Sequence, residues 1–180
     1  MKRIIITVSA IVIILVLIVI SLKWAVFFLD APYFGYAIPY LKEYGIRFGD
    51  SPKAVARKDP GVLVEKNTNM TVTPYSYYDY ETVVFGKDAS VSYEFYNNRW
   101  LASIDIKIQE DDKEMLNAVF DEACRTIEEE YKQNKMFQRG EMKQVDEEHY
   151  KIDFEIRFSG AISLSFRLEV KNGILYISCS

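Results

Sequence analysis

The sequence predicts an α+β protein: an N-terminal transmembrane helix, then a mostly antiparallel sheet carrying one short and one long helix. Three observations lead there. Ile4 to Leu22 is a charge-free run rich in Ile, Val and Leu. Most of the chain beyond residue 70 alternates apolar and polar residues with the period of strands. Between the two groups of strands, one segment changes to a three- and four-residue apolar period, the signature of an amphipathic helix.

The apolar run would make a helix about 28 Å long, close to the hydrocarbon thickness of a bilayer. Lys23 interrupts it and Trp24, Phe27 and Phe28 continue it, an arrangement suited to snorkelling and an interfacial aromatic belt. A cleaved secretory signal is the competing reading, but the core is long for one and no small-residue cleavage site follows. Residues 1–29 are therefore expected to be a cytoplasmic tip and anchor. Lys2 and Arg3 favour an amino terminus in the cytoplasm and a domain outside the cell membrane.

Residues 30–49 are expected as an aromatic-rich juxtamembrane segment, with Tyr33, Phe34, Tyr36, Tyr40, Tyr44 and Phe48. They suit either a collar on lipid headgroups or packing onto the domain that follows. A short helix is expected near 37–44, with Pro39 in its first turn. The domain proper is expected over 50–180. Asp50 or Ser51 caps a helix that begins at Pro52, buries Val55 and ends by Asp59-Pro60-Gly61.

Strands are expected near 70–74, 79–85, 90–96 and 100–108, joined by turns at Gly86-Lys87-Asp88 and Asn97-Asn98. Asp111 to about Phe137 reads as the long helix, with Asp111 and Glu114 as a capping pair. Its stripe is Leu116, Val119, Phe120, Ala123, Ile127 and Tyr131. Four more strands follow near 141–146, 149–158, 161–170 and 173–179, with turns at Ser159-Gly160 and Asn172-Gly173. Phe85 with Ser90–Phe95 matches Phe158 with Ser163–Leu168 at an offset of 73. The chain is thus a candidate for two helix-plus-meander repeats, although alternating strands resemble one another by default.

Composition narrows the chemistry. The whole chain carries 22 Lys+Arg against 26 Asp+Glu, which disfavours a dedicated nucleic-acid binder. One His and two Cys leave little for zinc sites or His-based triads. No phosphate-binding loop, dinucleotide glycine pattern or zinc-hydrolase helix appears, so no cofactor, metal or catalytic residue is expected. Glu128-Glu129-Glu130 points in three directions on a helix and cannot converge on one ion. A carboxylate pair such as Asp105 and Glu155 has nothing in the sequence to bring it together. Asn69-Met70-Thr71 fits a glycosylation triplet.

The most distinctive composition is Pro74-Tyr75-Ser76-Tyr77-Tyr78-Asp79-Tyr80. Tyrosine offers rigid contact area with a polar tip, so Tyr75, Tyr77, Tyr78 and Tyr80, extended by Trp100, are the candidate binding residues. The simpler alternative is that Tyr78 and Tyr80 fill one strand face while Tyr75 and Tyr77 lie on the other. Cys124 and Cys179 are the candidate disulfide, closing a loop worth roughly 4 kcal/mol on the chain-entropy model. The alternative is two buried thiols serving as small apolar residues.

Ile46-x-Phe48-Gly49-Asp50-Ser51-Pro52-x-x-Val55, followed by Tyr93-x-Phe95-x-Asn97-Asn98-x-x-Leu101-x-x-Ile104, resembles a recurrent pattern. It is similar to small extracytoplasmic proteins of the β-lactamase-inhibitor-like fold, including the SmpA/OmlA group of envelope proteins. The resemblance covers about residues 46–108. The chain departs from that group in lacking its lipid-attachment cysteine and in its much longer second helix. What the resemblance implies is a protein-binding module and no enzyme; it transfers no functional residue. The resulting expectation is a single-pass, membrane-anchored extracytoplasmic module that binds a protein or envelope component. The alternatives are a structural subunit acting through its anchor and, third, a hydrolase.

Overall fold

The computed structural model describes Ile14 and residues 35–68, 74–159 and 162–180. From Gly35 onward the described chain forms one compact unit. It begins with a 3-10 helix, Pro39–Tyr44, and a short α1, Pro52–Lys58. Pro52 occupies the first turn of α1, where its missing N–H costs nothing, and the Ser51 hydroxyl accepts the Ala54 amide at 3.2 Å. Strands β1 (Val62–Asn67), β2 (Tyr75–Val84), β3 (Lys87–Tyr96) and β4 (Trp100–Gln109) follow. The long helix is α2, Lys113–Tyr131, and the chain ends with β5 (Phe137–Arg139), β6 (Lys143–Asp146), β7 (His149–Ser159), β8 (Ile162–Lys171) and β9 (Ile174–Cys179).

Among the described residues all nine strands belong to one antiparallel sheet in the order β1-β2-β3-β4-β9-β8-β7-β5, with β6 also pairing β7. Each half is a meander, and the halves meet where β4 pairs with β9, Asp105 opposite Ser178 and Lys107 opposite Tyr176. Residues 73 apart hold equivalent places: Val91, Tyr93 and Phe95 in β3 and Leu164, Phe166 and Leu168 in β8 are all buried. Three tight turns place residues at positive φ: Phe85 and Gly86, Asn97 and Asn98, Asn172 and Gly173. Such turns match the twist of a hairpin, and Asn and Gly adopt them at little cost. The first turn lies one residue ahead of the expected Gly86-Lys87-Asp88, and the Phe85 ring is held edge-on to Tyr40 at 5.7 Å.

One face of the sheet is dry. The stripe of α2 lies on it, as do Ile38, Leu41, Ile46, Phe48 and Val55 from the segments before β1. Residues 35–49 are thus part of the core of this unit: Ile38, Leu41 and Ile46 are fully buried. The Tyr131 hydroxyl donates to the Ala37 carbonyl at 2.5 Å and ties the end of α2 to that segment. Tyr33 and Phe34 of the expected collar lie outside the described residues.

The expected fold class needs correction. The described chain is mostly antiparallel sheet with few helices, and among the described residues no helix is long and apolar enough to cross a membrane. The longest, α2, carries Lys113, Glu114, Asp121, Glu122, Arg125 and Glu128 to Glu130, so only one stripe of it is apolar. The anchor expected over 1–29 lies outside the described residues, Ile14 apart. The transmembrane helix, the extracytoplasmic placement and cell-membrane localisation therefore find no support and are dropped.

Smaller differences have local causes. Asp112 caps α2 by accepting the Glu114 and Met115 amides at 2.8 and 3.1 Å, in place of the expected Asp111. The first described strand is 62–67, whereas most of the expected 70–74 lies outside the described residues, as do the Asn69 triplet and Gly160 of the expected Ser159-Gly160 turn.

Candidate functional site

Alternation puts the odd residues of β2, the even residues of β3 and their counterparts across the sheet on the face opposite α2. None of the described side chains on that face is buried. It is an open face, and pairing arranges its β2–β4 part into rows.

The first row is Tyr75, Tyr96 and Trp100, aligned across β2, β3 and β4. The Tyr75 and Tyr96 rings meet edge-on at 5.6 Å. The second row is Tyr77, Glu94 and Ser103. The Ser103 hydroxyl donates to the Glu94 carboxylate. A hydrogen bond to that same carboxylate, with smaller effects of burial and of the carboxylate's charge, raises the Tyr77 phenol above its ordinary value. The third row runs Asp79, Ser92 and Asp105, and continues into Ser178 of β9. A trough of about 170 Å³ lies here, floored by Ser90, Ser92 and Ser178 and flanked by Asp105, Lys107 and Tyr176. Across β9, Ser178 faces Arg167 of β8, which ends the row of small residues.

The four tyrosines expected to act together are divided by the sheet. Tyr75 and Tyr77 lie on the open face, and Tyr77 is 38% exposed. Tyr78 and Tyr80 lie on the dry face at 7% and 4% exposure, each edge-on to a core ring, Phe95 at 5.1 Å and Tyr93 at 5.5 Å. The Tyr78 hydroxyl donates to Asn98 at 2.9 Å. Both are corrected from surface to core, because the strand period makes neighbours diverge. Trp100 joins the open-face row. Tyr96, 43% exposed, and Glu94 are the residues that sequence reasoning missed. The usable signal was the Asn97-Asn98 hairpin, which sets Tyr96 opposite Trp100.

Cys124 and Cys179 are free thiols, both buried, on α2 and β9. Burial pushes the Cys124 thiol up to about 12, and burial raises Cys179 as well. Neither is a thiolate at neutral pH, so neither has the reactivity of a catalytic cysteine. The dry face also holds a polar contact at Asp59, whose carboxylate accepts the Tyr93 hydroxyl at 2.5 Å and the Gly61 amide at 2.7 Å. Asp105 and Glu155 are separated by the width of β9 and β8, roughly 14 Å at about 4.8 Å per strand, too far for paired-carboxylate hydrolysis. Among the described residues no group of His, Cys, Asp and Glu could hold a metal ion.

No family model, curated protein or solved structure matches the chain. The open face must be read from its own chemistry. Its aromatic row, held carboxylate and serine floor combine rigid rings with small adaptable hydroxyls.

Proposed function

We propose that this protein is a non-catalytic binding module that takes a protein partner on the open face of β2, β3 and β4. One observation carries the reading: Tyr75, Tyr77, Tyr96 and Trp100 form a solvent-facing aromatic corner beside a serine floor, with no described element over it. Tyrosine and tryptophan give large contact area at low entropy cost, and serine adapts its hydrogen bonds to a partner's outline. The dry face bears the stability of the fold, so the open face is free to vary in chemistry. The resemblance to β-lactamase-inhibitor-like proteins leads to the same class of function. The burial of both thiols and the separation of Asp105 from Glu155 support the non-catalytic part.

The test is affinity capture with the full chain beside its Tyr77→Ser/Trp100→Ser variant. A discrete partner is expected at near-equal stoichiometry with the wild type and is lost from the variant, whose melting temperature stays unchanged. Capture that survives the double substitution refutes the open face as the binding surface.

A further inference from the structure

The open face has two electrostatically unlike halves. On β7 and β8 its carboxylates all have partners: Asp153 meets Arg167 at 2.7 Å, Glu155 meets Arg157 at 2.8 Å and Glu169 meets the His149 ring at 2.6 Å, with Lys151 and Lys171 on the same half. On β2, β3 and β4 it carries Asp79, Glu81, Asp88, Glu94 and Asp105 against Lys107 alone. Among the described residues none of those five carboxylates has an ion-pair partner, and the Lys107 ammonium lies 5.7 Å over the Tyr176 ring. A partner that covered this half without bringing cations would strand like charges in a poorly solvated interface. The aromatic row sits directly beside these carboxylates.

We infer that the partner presents arginine side chains from an extended segment to the β2–β4 half of the open face. This rests on the binding role proposed above and names its ligand chemistry. Guanidinium is the cation that both stacks on aromatic faces and pairs bidentately with carboxylate, and this corner supplies both elements. Glu94 is the anchor. Ser103 of β4 donates to its carboxylate and Tyr77 stands opposite it on β2, while a carboxylate offers about four acceptor sites and so has capacity left for a guanidinium. Tyr96, two residues further along β3, stacks the same guanidinium. Asp79 and Asp105 lie diagonally from Glu94 on the two neighbouring strands, about 7–8 Å away. That matches the roughly 6.8 Å between alternate side chains of an extended peptide, so an Arg-x-Arg segment reaches Glu94 and one flanking carboxylate together.

The test measures fluorescence anisotropy of a short Arg-Ser repeat peptide with the full chain, beside the same peptide with citrulline for arginine. Glu94→Gln/Asp105→Asn is compared with Asp153→Asn/Glu155→Gln, which removes the same net charge from the matched half. Wild type is expected to bind the arginine peptide at least about tenfold more tightly than the citrulline peptide. The first double variant loses about tenfold, and the second changes less than about twofold. Equal loss in both variants reduces the effect to net charge and overturns the inference. Absence of arginine-peptide binding, with partner capture still dependent on Tyr77 and Trp100, overturns it while leaving the binding face intact. Failure of both assays removes both readings.

Discussion

Replacing Tyr93 by Phe removes one hydroxyl from the dry face and tests how the start of β1 is held. Asp59 is 6% exposed, and its carboxylate is accepted into the core through two donors, the Tyr93 hydroxyl at 2.5 Å and the Gly61 amide at 2.7 Å. Phe fills almost the same volume, so the cost is the lost hydrogen bond with little cavity. A hydrogen bond to a charged group contributes about 1.5–3 kcal/mol, and the oxygen left behind belongs to a buried side chain, which places the cost near 2–3 kcal/mol. Asp59→Asn should weaken the same contact from the other side. The double variant should cost about 1–2 kcal/mol less than the two singles together, since both remove one interaction. Urea unfolding of the full chain, followed by circular dichroism, measures all three. With a denaturant slope of about 2 kcal/mol/M, Tyr93→Phe lowers the midpoint by roughly 1 M. A loss below about 0.5 kcal/mol, or simple additivity in the double variant, would refute the reasoning.

Three further outcomes are expected. Cys124 and Cys179 should resist a thiol reagent at pH 8 in the folded protein and both react after unfolding without reductant; protection that persists in urea would instead reveal a disulfide. Burial is the largest factor raising Tyr40, Tyr93 and Tyr131 above the ordinary tyrosine value of 10.0. Their protonated forms therefore support the fold fully below that value and the support is lost as pH rises past it, so absorbance at high pH should show them ionising only together with unfolding. The hydrogen bond from Lys87 lowers Glu110 from its ordinary 4.5. That contribution is present above the ordinary value and lost as pH falls through the lowered one, so Lys87→Met should flatten that part of the acid-unfolding curve; an unchanged curve would remove the pair as a contributor.

Much of the sheet was legible because its signals are local. Asn97-Asn98 and Asn172-Gly173 dictate positive φ within two residues, and the alternation in β3, β4 and β8 requires no distant partner. Pro52 and the Ser51 cap mark α1 for the same reason. β1 escaped because all its residues are exposed, which erases the two-residue period in burial that identifies a half-covered strand. The meeting of β4 with β9 lies beyond local rules, since those strands are about 70 residues apart in the chain. For residues 35–49 the sequence left a headgroup collar and packing onto the domain both open, and the burial of Ile38, Leu41 and Ile46 decides for packing. The tyrosine run shows the limit most clearly. Parity divides it into two pairs, but only the covering of one face by α2 and the segment before β1 decides which pair meets solvent. Glu94 was invisible because a single acid in a strand looks solvated until pairing sets it between Tyr77 and Ser103, whose hydroxyl donates to it.

The central claim is that recognition occurs on the open face of β2, β3 and β4. Covalent side-chain footprinting of the full chain, free and with its captured partner, tests it most directly. Tyr77 and Tyr96 are 38% and 43% exposed, and Met115 and Met136, away from that face, are 45% and 49% exposed, so all four label in the free protein. The account predicts that the partner protects Tyr77 and Tyr96 and leaves both methionines as reactive as before. Protection of Met115 and Met136 with the two tyrosines unchanged would contradict it.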